Sequence, residues 1–351
     1  MSRYRVFRTK NDWISFLFDP RSIIVTALLF IALAALFLFS AALGEIFVHP
    51  LDVIKVLIGQ GNEMNQMVVN SFRMPRILTA LFVGVALSVS GAILQGMIRN
   101  PLASPDIIGI TGGAGVAVVA FLAIFSNADN ALTVSLQWLP FASFIGAVVV
   151  GFMVYILAYK NGISPMTLVL IGIGISLLTQ ALTTMFMILG PIFRASQANI
   201  WLTGSVYGSN WAEVKILVPV VLVLFVLSLM VARRINAQEL GEEAAAGIGA
   251  HLQRDRLIFL TLCTAMTGAA VAFAGGIGFV GLMAPHIARR LVGSSYGALI
   301  PVSALVGAIV VLGADLVGRT MFSPLEVPAG VFTAAIGAPY FIFLLYKSKR
   351  S

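Results

Sequence analysis

Side chains able to ligate a metal, relay a proton or attack an electrophile are scarce in this chain: 14 Asp and Glu, three His and one Cys among 351 residues. Inside an apolar stretch long enough to cross a bilayer, a charge costs about 2.5–3.5 kcal/mol on insertion scales, so its presence there marks function. Asp315 and Arg319 come closest to that setting. Their i,i+4 spacing puts them on one helix face, where they can satisfy each other. His49 and His251 fall in connecting segments and His286 stands near Arg289, so none has the surroundings of a buried proton relay. Cys263 lies in an apolar run as a small hydrophobe, and one cysteine builds no disulfide framework. A GxxxxGK[ST] loop, an HExxH pair and an acidic cluster for Mg²⁺ are all missing. Intrinsic ATP hydrolysis, zinc proteolysis and prenyl transfer are thereby excluded, and the chain reads as a non-enzyme.

Two groupings still offer chemistry. Arg73 and Arg76 are i,i+3 neighbours, with Pro75 suited to a first helical turn, and guanidinium forks hold carboxylates in a fixed geometry. Interfacial anchoring is the plainer use of such arginines. The second grouping is LGEEAAAGIGAH (240–251), which lies in the only inner connection, 233–256, long enough for a helix of its own. Small residues on one face would let that helix sit closely in a groove of another protein, and Gly249 would end it through a left-handed turn. An amphipathic surface helix is the other reading of the same residues.

The elements that position these groups are apolar helices. Hydrophobic residues make up 59% of the chain, charged residues 10%, and the mean hydropathy is +1.00; no soluble fold of this length needs so little polar surface. Crossing about 30 Å of hydrocarbon takes roughly 20 residues at 1.5 Å per residue. Charge-free runs of that order recur at 22–44, 77–98, 107–128, 130–159, 161–193, 216–232, 257–288, 291–314 and 327–346. They lack the alternation of barrel strands, so they are helices.

Basic residues set the topology. Run 257–288 is too long for one crossing and short for two, since two passes leave roughly 24 Å each. Two passes give ten spans with both termini cytoplasmic and place sixteen of the 22 Lys and Arg inside; one pass gives twelve against ten. The positive-inside rule selects ten spans, and the same loop distribution accounts for the net charge of +8 without a nucleic-acid partner. One helix of the 257–288 pair must then be short or broken, and the glycine-dense AGGIGFVGLMAPH (274–286) marks the place. A tightly packed small-residue interface is the alternative there. The spacing of Gly84, Gly91 and Pro101 recurs in Gly268, Gly275 and Pro285, which suggests an inverted repeat.

Residues 1–21 form a basic cytoplasmic segment carrying Arg3, Arg5, Arg8, Lys10 and Arg21. It resembles a secretory leader, but the run behind it is long for one and lacks a small-residue cleavage site, so the first helix is read as retained. Residues 22–347 form the transmembrane domain, with 233–256 as its long inner loop, and 348–351 a cytoplasmic tail. Trp201, Tyr207 and Trp211, in the uncharged stretch between Arg194 and Glu213, suit a short helix at the outer interface that gates the exit into the pathway.

Several segments resemble one known family. E-A-A-x-x-x-G (243–249) is similar to the coupling motif of ABC-transporter permeases, and RMPR (73–76), SGAILQGMIRNPLASPDIIGITGGAG (90–115), GFVGLMAPHIARRLVG (278–293) and ADLVGRTMFSPLEVPAGVFTAAIGAPYFIFLL (314–345) are similar to the FecCD/BtuC type. These are ten-helix permeases for ferric siderophores, haem and cobalamin. The resemblance runs from about residue 25 to the C-terminus.

The resemblance implies an all-α membrane protein of the bacterial cytoplasmic membrane. A second permease subunit, identical or paralogous, would complete a central pathway; two cytoplasmic ATPases using ATP and Mg²⁺ would grip the inner loops; an extracytoplasmic binding protein would deliver the cargo. This chain itself would bind no cofactor. The family's coupling helix falls on Gly241, Glu243, Ala244, Ala245 and Gly249, and its docking arginines on Arg73, Arg76 and Arg319. The pathway would draw on the fifth and tenth spans, with Gly172 and Gly174 in one and Gly337 and Pro339 in the other. A bare metal ion would want ligands along the route that the spans lack, whereas a chelate carries its own ligand shell. Ferric siderophore is the expected cargo, with cobalamin or haem as alternatives and an ion-coupled secondary carrier as the alternative of another class.

Overall fold

A computed structural model describes residues 5–8, 15–127, 132–159, 162–323 and 325–348. The topology assigned to Arg3, Lys10, Asp129, Lys160, Lys349 and Arg350, and most of the tail from 348, lies outside the described residues. The chain departs from an all-helical reading at its start, where β1 (Arg5–Arg8) and β2 (Ser15–Phe18) pair antiparallel, Arg5 opposite Phe18 and Arg8 opposite Ser15.

Helix α1 (Pro20–Ala42) follows, capped by the Asp19 carboxylate, which accepts from the Arg21 N–H at 3.0 Å. A corner holds α2 (Pro50–Leu57) and α3 (Glu63–Gln66). From α3 the chain passes through a π turn (Met67–Arg73) into α4 (Met74–Ile98). Pro75 brings no N–H to the ladder, and the turn ahead of it widens so that the Met74 N–H reaches Val69. The second crossing thus begins well before the charge-free run at 77. Next come α5 (Ile110–Ile124), α6 (Leu139–Ala158), α7 (Pro165–Leu189), the short α8 (Ile192–Thr203) and the long α9 (Trp211–Glu239). The chain closes with α10 (Glu242–Gly247), α11 (Leu252–Ala274), α12 (Val280–Val292), α13 (Tyr296–Thr320) and α14 (Ala329–Ser348).

Among the described residues, seven helical stretches are long and apolar enough to cross a membrane, so the protein is a multi-pass helical membrane protein. The ambiguous run resolves into α11 and a 13-residue α12, separated by the irregular 275–279. Ile23, Phe30, Met166 and Met230 point outward from the bundle. That exposure suits lipid tails, not water.

Two halves of four helices are related by packing order. In α4–α7 and in α11–α14 the second helix is the shortest and packs on the third and fourth, while the first helix of each half packs on the third of the other: α4 on α13, α11 on α6. Glycines let these backbones meet. A Cβ on Gly84 would lie 2.3 Å from the Gly307 carbonyl oxygen, and one on Gly91 1.8 Å from that of Gly281. The glycine-proline intervals expected to mark the repeat do not coincide in the fold. Gly91 is inside α4 whereas Gly275 follows the end of α11, and Pro101 lies in a connection whereas Pro285 is inside α12. Glycine spacing here serves close packing, so it follows helix contacts and not the correspondence of halves.

Candidate functional site

At one end of the bundle the three predicted docking arginines are already engaged. The last carbonyls of α1 have no partners within their own helix and carry the negative end of its dipole. Arg73, only 8% exposed, donates from Nη1 to Ala41 and Ala42 at 2.6 and 3.0 Å and from Nη2 to Ile46. Arg319 donates to the Leu43 carbonyl at 2.8 Å, to the Ser40 hydroxyl at 2.9 Å and to the Ser40 carbonyl. Both guanidiniums therefore fasten the corner between α1 and α2. Arg76 instead bridges two carboxylates, with Asp315 at 2.8 Å and Glu326 at 2.9 Å, and the Tyr207 ring centroid lies 5.7 Å from its guanidinium carbon. Arg319 Nε stands 3.6 Å from Asp315, too far for a hydrogen bond. The Asp315–Arg319 ion pair read from spacing is present at 3.6 Å but does not satisfy itself: the α1 carbonyls draw Arg319 away, and Arg76 from α4 takes the carboxylate.

At the opposite end of α4, α10 forms as the alanine-rich segment predicted. Gly241, with φ of 110°, admits the chain into the helix, and Gly249, with φ of 85°, turns it out. Ala245 is buried inward while Glu243 and Ala244 face out. Leu240 and Ile248, 67% and 66% exposed, flank the helix as bare apolar side chains. Below it, Glu242 Oε1 accepts from Arg256 at 2.7 Å and from Arg99 at 3.1 Å. Arg256 is buried and also donates to the Ile163 carbonyl, whose own N–H donates to Gln253 Oε1 at 2.7 Å. Glu242 thus ties α10 to the end of α4, to α11 and to the connection before α7.

The glycines predicted to line the pathway have distinct surroundings. Gly172 of α7 seats Ile108, whose Cα would be 2.8 Å from an added Cβ, and Gly337 of α14 seats Phe279 at 2.4 Å. Each supports the irregular segment ahead of the short helix of its own half. Gly174 has open space beside it, and Pro339 lies inside α14. Of the stretch expected to form a short helix with Trp201, Tyr207 and Trp211, α8 (Ile192–Thr203) takes in Trp201, whereas Tyr207 follows it and Trp211 opens α9.

Three residues with clear roles in this geometry escape a reading by spacing. Glu242 sits next to the better motif position Glu243, and only the fold brings Arg99 and Arg256 to it. Glu326 had one signal, an acid just beyond the span that holds Arg319. Asp106 stands one residue ahead of the charge-free run at 107 and passes for a loop residue, yet Thr111 Oγ1 donates to it at 2.7 Å within the bundle.

Residues 32–347 match the FecCD transport family. The chain is 62% identical over 318 residues to "Probable siderophore transport system permease protein YfhA" of Bacillus subtilis (strain 168), covering 91% of this chain and 93% of that relative. It is 39% identical to the iron(3+)-hydroxamate import system permease protein FhuG of the same organism, covering 93% and 98%. Its fold superposes on a metal-chelate type ABC transporter solved in an inward-facing conformation with a TM-score of 0.82 and 31% identity, over 93% of this chain and 99% of that one. The chain belongs to the FecCD transport family.

Proposed function

We propose that this chain is the membrane-spanning permease subunit of a binding-protein-dependent ABC importer in the bacterial cytoplasmic membrane, and that its cargo is a ferric siderophore. The observation that carries the reading is α10: a short helix anchored at three points through Glu242, yet presenting Leu240, Glu243, Ala244 and Ile248 outward at one end of a helical membrane body. A surface so rigidly held and so apolar suits a groove in a cytoplasmic ATPase. The cargo class is supported by the likeness to YfhA, a siderophore transport system permease, and to FhuG, an iron(3+)-hydroxamate import system permease.

In this reading α1, α4–α7, α9 and α11–α14 are the ten spans and both termini are cytoplasmic. Two permease subunits, identical or paralogous, enclose the pathway, and two ATPases hydrolyse ATP with Mg²⁺ below them. Closure of the ATPases displaces the Gly241–Gly249 segments, and the halves rock between outward and inward access. An extracytoplasmic binding protein docks at the arginine end. There Arg76 is the cation whose partner exchanges most readily, because Glu326 on its outer side is half-exposed and a carboxylate of the binding protein can replace it. Arg73 and Arg319 hold the α1–α2 corner in place for that contact.

The test is reconstitution of the permease in proteoliposomes with its ATPase and binding protein, following uptake of iron-55 as a ferric hydroxamate. Accumulation should require all three components and ATP. Accumulation by the permease alone, abolished by an ionophore, would point to an ion-coupled carrier and overturn the assignment.

A further inference from the structure

The carboxylate of Asp106 occupies an unusual place. The two short helices, α5 and α12, are the second members of the two halves, and each starts from a left-handed residue: Gly109 with φ of 84° and Phe279 with φ of 68°. Neither N-cap supplies a side-chain hydrogen bond. A helix start within a protein interior leaves N–H groups and the positive end of the helix dipole to be satisfied. For a phenylalanine the left-handed conformation is also strained, so the surroundings must hold it.

Both helix starts converge on Asp106. From its own half, Thr111 Oγ1 donates to Oδ1 at 2.7 Å. From the other half, the Phe279 backbone N–H faces the same carboxylate. The two irregular segments touch on either side of it. Pro105 lies against Gly281, where an added Cβ would be 3.2 Å from the proline Cδ, and the Thr111 methyl lies against Gly276 at 3.6 Å by the same measure. Gln95 Nε2, at the end of α4, reaches the Gly281 and Leu282 carbonyls at 3.4 and 3.3 Å.

The second irregular segment is in turn bonded to the outer elements. The Gly276 N–H donates to the Trp201 carbonyl of α8 at 3.1 Å, and the Ser205 N–H donates to Ala274 at 2.8 Å. Just beyond α8, the Gly204 carbonyl accepts from the Gly330 N–H at the head of α14 at 3.0 Å. A continuous path of hydrogen bonds and packing contacts therefore runs from the end of α8, through the break before α12, to the break before α5. Ile108 and Phe279, at those two breaks, rest on α7 and α14 through Gly172 and Gly337.

We propose that Asp106 is a positioning residue that clasps the two half-helix starts together, so that the wall helices α7 and α14 and the α8 segment move as one unit during transport. This rests on the importer reading given above. The carboxylate accepts from Thr111 of its own half, lies before the Phe279 N–H of the other, and is the counter-charge to two helix dipoles. It does not touch cargo.

An isosteric series separates the parts, measured on the full permease in nanodiscs and with its ATPase and binding protein in proteoliposomes. Asp106→Leu removes the acceptor, and amide hydrogen exchange should quicken at least tenfold in both 99–111 and 275–282. Asp106→Asn keeps an acceptor oxygen and should leave exchange in both segments within about threefold of the parent. Uptake should follow the same order, with ATP hydrolysis retained in Asp106→Leu but no longer stimulated by the loaded binding protein. Quickening confined to 99–111 would make Asp106 a local turn residue and overturn the clasp. Equal loss of uptake in both variants with exchange unchanged would assign its charge to the cargo and overturn it as well. If Asp106→Leu does not accumulate in the membrane, Asp106→Ala decides: it removes the carboxylate without adding bulk, and unchanged exchange at 275–282 would sink the proposal. Because exchange is read without transport, failure of the importer reading shows as an inactive parent complex and leaves this test intact.

Discussion

Asp315 is held by Arg76, 239 residues away in sequence, at 2.8 Å, and only loosely by Arg319 four residues along its own helix, at 3.6 Å. The carboxylate is 2% exposed, so it was removed from solvent on the strength of a tertiary partner. Removing that partner leaves a buried charge. Arg76→Leu should destabilise the protein by about 3 kcal/mol, while Arg76→Leu combined with Asp315→Leu should recover much of the loss. Thermal unfolding in detergent of the two singles and the double decides. Additive losses would mean that the two residues act independently.

Arg73 serves two carbonyls at the end of α1 with one nitrogen and the Ile46 carbonyl of the corner with another. A lysine carries the charge but not the fork, so Arg73→Lys should fail to restore the corner and cost about 1–2 kcal/mol. Limited proteolysis should find the α1–α2 connection more readily cut. A cutting pattern identical to the parent would show that charge alone suffices there.

Neighbouring glutamates in the α10 segment should behave differently. Glu243 faces out, so Glu243→Arg should leave insertion and thermal stability unchanged while lowering ATP-dependent uptake at least tenfold. Glu242→Ala should instead free the buried Arg256 and lower stability by about 1–3 kcal/mol. Measuring both properties for both variants makes the contrast: if Glu243→Arg transports normally, the outward face of α10 is not where the ATPase couples.

Much of this was legible without coordinates, for physical reasons. Hydrocarbon thickness and the ban on unpaired backbone in lipid force long apolar helices, so α1, α6, α7 and α13 lie close to the charge-free runs. Arithmetic on 257–288 required a short helix, and α12 is one. Gly249 ends α10 because only a residue free of a Cβ turns left there at no cost. Contacts over long sequence separation were not legible. The grip of Arg73 and Arg319 on α1, and the choice of Arg76 over Arg319 by Asp315, depend on where α1 ends relative to α4 and α13. Local spacing carries no trace of that. Asp106 was hidden for a related reason: its meaning arises only when the starts of α5 and α12, 170 residues apart, are brought to one point.

Two glycine substitutions separate packing from pathway. An alanine at Gly91 would place its Cβ 1.8 Å from the Gly281 carbonyl oxygen, a backbone atom that cannot rotate aside. Helices α4 and α12 would have to part, at a cost of about 3 kcal/mol. At Gly174 an added Cβ meets nothing within 4 Å. Alanine there should be neutral or stabilising by about 0.5–1 kcal/mol, since it improves helix propensity without a clash. If the open space beside Gly174 is part of the conduit, Gly174→Leu should keep the stability of the alanine variant and still slow uptake of a bulky ferric hydroxamate several-fold. The two readouts answer separate questions. Loss of stability in Gly174→Ala would mean that a neighbouring helix closes the space, whereas normal uptake by a stable Gly174→Leu would remove this face of α7 from the route.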